Sequence, residues 1–294
     1  MTPRIQIDPI FGRGINGFGF FSNYRACLHR LIDSREALET HKPYISWKNT
    51  FFVDDFKIVE PLHPILDFPE DHPNPFDLWF DQEPLNPDDM TIRAEGFIDS
   101  HILNHASNYY KHPELKLQQV IDATYIHLKK DIQNKIDKIY DEEFKDEVVL
   151  GILARGTDNI YCNPENGVFY PDAYKAGIDK VLELHPNITK IYVVCDDQKW
   201  IEDMKEYFPN MYYSPGVHRW RAEKPYEHGV DPWYWPYVNP GRKKHCTTLG
   251  EEIILQTKLL GKCDYVVGRQ SGILCGVVLW NERIKNFYRL EEVL

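Results

Sequence analysis

Arg155, Gly156, Thr157 and Asp158 stand in succession at the end of an apolar run, residues 148–153. A guanidinium can bridge two phosphate oxygens bidentately, a glycine lets the backbone approach a ligand closely, and an aspartate can orient the arginine or bind a hydroxyl. Two further clusters follow apolar runs in the same half. Asp196-Asp197 closes "KIYVVCDD" and offers acceptors to a ribose or a base, and Gly268-Arg269-Gln270-Ser271-Gly272 follows "DYVV" and opens an apolar segment. The last can present backbone N–H groups and a hydroxyl to a phosphate. Taken singly, each cluster reads as readily as a tight turn or a solvated helix start. Three of them at successive strand ends favour a phosphate-bearing ligand, because ligands of open α/β sheets bind outside the carboxyl ends of the strands.

The elements that must position these clusters follow from periodicity. From residue 148 onward, the runs 148–153, 190–195, 211–214, 264–268 and 286–290 are β-rich and alternate with helix-period segments, which predicts a parallel sheet with crossover helices. Ala173, Ile178, Val181, Leu182 and Leu184 mark one helix face behind Pro171-Asp172, and Trp200, Ile201, Met204, Tyr207 and Phe208 mark another. Thr248 and Glu251 have the spacing of a capping box for a third helix. In the first half, "RIQIDPI", "FFSNYRACLHRLIDSREAL" and "KPYISW" predict one βαβ unit. Residues 60–90 carry many of the 20 prolines and predict an ordered loop or a lid. Residues 116–144 predict one long amphipathic helix with Val120, Ile121, Tyr125, Leu128, Ile132, Ile136 and Ile139 on its apolar face. The expected division is an N-terminal α/β domain over residues 1–145 and a C-terminal Rossmann-like domain over 146–294.

Composition narrows the partners. The chain has 294 residues, 43% of them hydrophobic, enough to bury a substantial core. With 34 basic and 45 acidic residues the formal charge is −11, which repels a polyanion such as nucleic acid. The strongest basic stretch, Gly241 to His245, suits one small phosphate-bearing ligand or a solvated loop, and makes His245 a donor-binding candidate. The six cysteines are scattered, several in apolar runs, and read as buried thiols of a reducing compartment, neither a disulfide frame nor a zinc site. The N-terminus lacks an apolar signal core, and no stretch is long and apolar enough to span a membrane, so a cytoplasmic protein is expected. His101 and His105 lie four apart without the glutamate of a His-Glu-x-x-His zinc site and read as incidental. Residues 216–245 hold Trp220, Trp233, Trp235, Tyr234 and Tyr237, aromatic platforms for a sugar or a base, or alternatively interdomain packing.

Three segments resemble the fucosyltransferase-like glycosyltransferases. "GILARGTD" looks like their Gly-Val-His-x-Arg strand end, "IYVVCDDQKWIEDMKEYF" their Thr-Asp-Asp segment, and "LLGKCDYVVGRQSGILCGVVLW" their serine-containing third motif. "INGFGFFSNYRACLHRL" is more loosely similar to their N-terminal glycine-rich loop and following helix. Leu153 stands where many members have histidine, and their paired serines are reduced to Gln270-Ser271. The resemblance implies an α/β, GT-B-like fold of two facing Rossmann-like domains and inverting transfer without a metal or other cofactor. It implies a nucleotide sugar as donor, fucose from GDP-fucose by default, and a glycan hydroxyl as acceptor. It puts Arg155 on the donor pyrophosphate, Asp197 on the nucleoside side, and Ser271 beside the phosphates, with Gly17, Gly156, Gln270 and Gly272 as further donor contacts. The alternatives are a UDP-sugar donor such as UDP-xylose, and a non-catalytic nucleotide or sugar binder.

The residues themselves bear on the metal. No Asp-x-Asp occurs in the chain, so the leaving diphosphate is expected to be stabilised by fixed positive charge and backbone N–H groups. Inverting transfer also needs a group to take the acceptor proton, most often a carboxylate. Asp158 lies close to Arg155 in sequence, and the proline-rich segment offers Asp81 and Asp71 ahead of Glu83.

Overall fold

The structure, a computed structural model, describes residues 3–9, 20–48, 57–58, 66–67, 73–84, 91–93, 115–155, 170–219, 245–269, 271–281 and 286–294. In the first half, β1 (Arg4–Ile7), α1 (Phe20–Asp33) and β2 (Lys42–Ile45) form the expected βαβ unit, β1 pairing in parallel with β2. A short helix, α2 (Arg35–Leu38), precedes β2. Two-residue strands β3 (Lys57–Ile58) and β4 (Leu66–Asp67) pair antiparallel, α3 (Phe76–Trp79) leads into β5 (Phe80–Asp81), and β6 (Thr91–Arg93) joins β1 in parallel. The resulting three-stranded sheet has the order β2-β1-β6.

Two helices, α4 (Leu115–Tyr125) and α5 (Lys130–Glu143), flank β7 (His127–Leu128) and lead to the second sheet. That sheet is built from β8 (Val149–Leu153), β9 (Lys190–Val194), β10 (Tyr265–Gly268) and β11 (Asn286–Arg289), all parallel, in the order β11-β10-β8-β9. The crossovers are α6 (Pro171–Leu184), α7 (Gln198–Tyr207) with α8 (His245–Gly261), and α9 (Gly272–Leu279); α10 (Leu290–Val293) ends the chain.

β8 is buried at all five positions because helices cover both faces. Strand alternation divides it between two cores. Val149 and Leu153 point into one with Ile132, Ile136, Ile254 and Val266, while Leu150 and Ile152 point into the other with Ile178, Val181, Trp200 and Met204. The first core runs on into the N-terminal half through Phe20, Phe21 and Tyr24 of α1 and through Trp47, Phe76, Trp79 and Phe80. Two glycines permit the closest approaches there. A Cβ on Gly250 would stand 2.1 Å from the Trp79 ring, and one on Gly276 would stand 2.1 Å from the Phe21 ring.

Four expectations need correction. The long helix over 116–144 is interrupted: residues 126–129 are extended, β7 pairs antiparallel with β5 (Phe80↔Leu128), and Lys129 N–H donates to Trp79 O at 2.9 Å. No proline or glycine marks this break, since the competing partner comes from a distant segment; Val120, expected on the apolar face, is 61% exposed. The proline-rich segment is more than a loop or lid, because over 73–84 it folds into α3 and β5 and buries Phe76, Trp79 and Phe80. The run 211–214 contributes a single bridge, Tyr192↔Tyr212, instead of a strand. Helix α8 starts at His245, so Thr248 and Glu251 lie within it and do not form its cap. Cys27, Cys195, Cys263 and Cys275 are free and buried as expected, and burial pushes the Cys27 thiol up to about 12.

Where α1 meets α4, Tyr24 donates a hydrogen bond to Oδ1 of Asp122, both side chains buried. Burial raises the Asp122 carboxyl above its ordinary range, against the lowering effects of Tyr24, Lys258, Trp280 and His127. A raised carboxyl favours the fold most when neutral, so this contribution is complete below the ordinary value of about 3.9 and is lost as pH rises through the higher folded value. Asp122→Asn keeps an acceptor for Tyr24. It is expected to be more stable than the wild type at pH 7, with the gap closing towards about pH 4, as read by urea denaturation at the two pH values.

Candidate functional site

Register places the chemistry-bearing residues side by side. Leu153 at the end of β8 pairs with Gly268 of β10 on one side and with Val194 of β9 on the other. Arg155, the segment 195–197 and the turn leading to Ser271 therefore leave three adjacent strands at the same edge of the sheet. Ala154 N–H continues the ladder to Val194 O at 2.9 Å, which fixes the backbone immediately before the half-buried Arg155. At Gly268 a Cβ would lie 3.1 Å from Leu153 Cβ and 3.2 Å from Leu153 O, so glycine lets the two strand ends close together.

Ser271 is the N-cap of α9, its Oγ accepting from Leu274 N–H at 3.2 Å. A serine hydroxyl retains its own hydrogen when it accepts, so it can still donate to an anion. Gly272 opens the helix, whose first amides have no intrahelical acceptor and carry the positive end of its dipole. The adjacent Arg269 is tied through Nε to Glu291 of α10.

Asp197 is 2% exposed and caps α7, with Oδ1 accepting from Lys199 N–H at 2.8 Å and Trp200 N–H at 3.3 Å. This is structural work at the start of α7. Asp197→Ala is expected to cost about 1 kcal/mol of stability, seen as a lower urea midpoint.

Sequence reasoning passed over Arg219. Its Nε donates to Cys195 O and its Nη2 to Ser214 O, each at 3.1 Å, and the guanidinium lies 5.1 Å from the Tyr213 ring centroid. Burial lowers its pKa. The clamp ties the start of the aromatic-rich segment to the end of β9, beside Arg155. No periodicity announces it, because both acceptors are backbone carbonyls that only the tertiary fold brings together.

The other candidates fall elsewhere. Asp81 is exposed on β5 opposite His127, and its side chain is not part of the strand-end register. Glu83 is held by Arg4 Nη2 at 2.9 Å and Lys42 Nζ at 2.7 Å, and Lys42 foremost lowers its pKa. Gly17, Asp71, Gly156, Asp158 and Gln270 lie outside the described residues, as do His101, His105, the segment 220–244 and the side chain of His245, whose backbone opens α8. Among the described residues, no group of three or more His, Cys, Asp or Glu is placed to hold a metal ion, and no helix is long and apolar enough to cross a membrane.

A parallel sheet covered by helices on both faces, with Arg155, Asp197 and Ser271 following its strands at the carboxyl edge, has the architecture of a doubly wound α/β protein. With the second parallel sheet, the architecture is α/β and GT-B-like. It is similar over almost its whole length to NodZ α-1,6-fucosyltransferase soaked with GDP-fucose, with a TM-score of 0.54, 14% identity, and coverage of 96% of this chain and 94% of that one. Fucosyltransferase NodZ from Bradyrhizobium matches with a TM-score of 0.55 and 15% identity over 97% of this chain and 96% of that one. These likenesses establish the fold. No family model matches the sequence, and no curated protein is significantly similar to it.

Proposed function

We propose that this chain is an inverting, metal-independent glycosyltransferase that moves a sugar, fucose from GDP-fucose by default, from a nucleoside-diphosphate donor to a glycan hydroxyl. The observation that carries the reading is the row at the carboxyl edge of the second sheet: Arg155 after β8, flanked in register by β10 leading to the Ser271 cap. In this reading Arg155 forks onto the pyrophosphate, and the Ser271 hydroxyl and first amides of α9 meet the same charge. Fixed donors of this kind stabilise the leaving diphosphate without reorganising as charge develops. Support for the nucleotide sugar comes from the similar NodZ structure, which was soaked with GDP-fucose. Support for metal independence comes from the chain's lack of an Asp-x-Asp. The acceptor's proton passes to a carboxylate drawn from Asp158, Asp81 and Asp71.

Thermal shifts with GDP, UDP and CMP and their sugar conjugates, in chelator, test the reading. A ligand at 100 times its Kd stabilises the fold by about 2.7 kcal/mol. GDP and GDP-fucose are expected to raise the melting temperature in the absence of metal. A shift by UDP alone would move the donor to a UDP-sugar such as UDP-xylose, and no shift by any nucleotide would remove the transferase reading. Donor binding without turnover on any glycan would leave a non-catalytic binder.

A further inference from the structure

A cleft of about 810 Å³ opens between α5, the N-terminal half of α8, the end of α3 and residues 212–217. Its volume is that of a ligand pocket. Leu78, Ile139, Val217 and Leu255 make its surface partly apolar, with the buried Trp79 behind them. Also lining it are four carboxylates, Glu142, Glu143, Glu251 and Glu252, and two ammonium groups, Lys135 and Lys138.

All four of those carboxylates already hold a partner. Lys135 Nζ lies 2.6 Å from Glu251 Oε1, Lys138 Nζ 3.8 Å from Glu142 Oε1, Lys190 Nζ 2.6 Å from Glu143 Oε2, and His218 Nδ1 2.5 Å from Glu252 Oε1. Glu251 and Glu143 each use one oxygen in these contacts, leaving the other as an acceptor, and the hydroxyls of Thr247 and Thr248 also line the cleft. A nucleoside diphosphate would meet surplus carboxylate here, and a polycation would find each of the four carboxylates engaged. A neutral ligand whose hydroxyls both donate and accept, and whose C–H face can lie on apolar side chains, fits this lining.

We propose that the cleft binds a neutral oligosaccharide. The inference rests on the transferase reading, which requires a glycan acceptor, and gives the acceptor's non-reacting sugars a place. One wall of the cleft is tied to the row of strand ends. Ser214, in the cleft wall, is joined through Arg219 to Cys195 O at the end of β9, the strand beside that of Arg155.

The test titrates neutral trisaccharides of α-linked glucose, β-linked glucose, N-acetylglucosamine, mannose and xylose, with trilysine as the cationic competitor, in ligand-observed NMR. The proteins are the wild type and Thr248→Trp, which places a bulky ring in the cleft from an exposed position. At least one trisaccharide binds the wild type and binds the variant at least tenfold more weakly, with unchanged melting temperature. Should Thr248→Trp melt early, Lys138→Trp on the facing wall, 73% exposed, replaces it. Absence of trisaccharide binding, equal binding to both proteins, or a preference of the cleft for trilysine overturns the proposal. A GDP thermal shift on the same wild-type sample separates the two readings. A shift without sugar binding sinks the cleft alone, whereas no nucleotide shift sinks the transferase reading beneath it.

Discussion

Arg155→Ala is expected to weaken nucleoside-diphosphate binding more than tenfold, about 1.4 kcal/mol or more, because the proposed reading gives this guanidinium a charge-assisted, forked contact to the pyrophosphate. Turnover is expected to fall further, by about 10²–10³, if the same guanidinium stabilises the leaving diphosphate, since that charge is greatest in the transition state. The fold should tolerate the change. The backbone is held by the ladder bond from Ala154 N–H to Val194 O, and the residue lies outside β8 itself. Isothermal titration of the folded variant with GDP checks the first figure, and initial rates with a nucleotide sugar check the second. Arg155→Lys, which keeps the charge without the planar fork, should recover only part of the affinity. Equal GDP affinity in wild type and Arg155→Ala would detach the pyrophosphate from this strand end.

The largest expected loss of stability comes from Trp79→Ala. Trp79 is 1% exposed, its ring packs 5.6 Å from Phe20 and 5.9 Å from Trp47 between centroids, and it fills the space beside Gly250 of α8. Its truncation removes aromatic area and leaves a void bounded by elements of both halves, so the cost is about 3–5 kcal/mol. At a few degrees per kcal/mol for a chain of this size, the melting temperature should fall by roughly 6–15 °C. Urea denaturation followed by circular dichroism measures the change, and Trp79→Phe should cost less. An unmoved midpoint would mean that the proline-rich segment is peripheral to the core.

The second sheet was largely legible because its strands are short apolar runs bounded by polar turns and its helices repeat every 3.6 residues. Pro171 at the start of α6 and Asp197 capping α7 are local signals for helix starts. The first half was less legible where distant segments compete for the same backbone. Residues 126–129 carry no helix breaker, yet β5 draws them out of the helix by offering strand partners. Phe76, Trp79 and Phe80 sit among prolines that suggest a loop, but core packing outweighs that local signal. The start of α8 was misplaced because the Thr248–Glu251 spacing is compatible with the interior of a helix as well as with its cap.

By itself the sequence determined that Arg155, Asp197 and Ser271 each follow an apolar strand, and that those strands belong to a parallel sheet. These are consequences of short-range pattern, since alternation, turn chemistry and capping act over a few residues. Tertiary structure alone decided that β8 lies between β10 and β9, that Leu153 aligns with both Gly268 and Val194, and that Arg219 reaches two backbone carbonyls beside that row. Strand order and register arise from packing between segments far apart in the chain, where the burial of β8 on both faces selects the central place in the sheet.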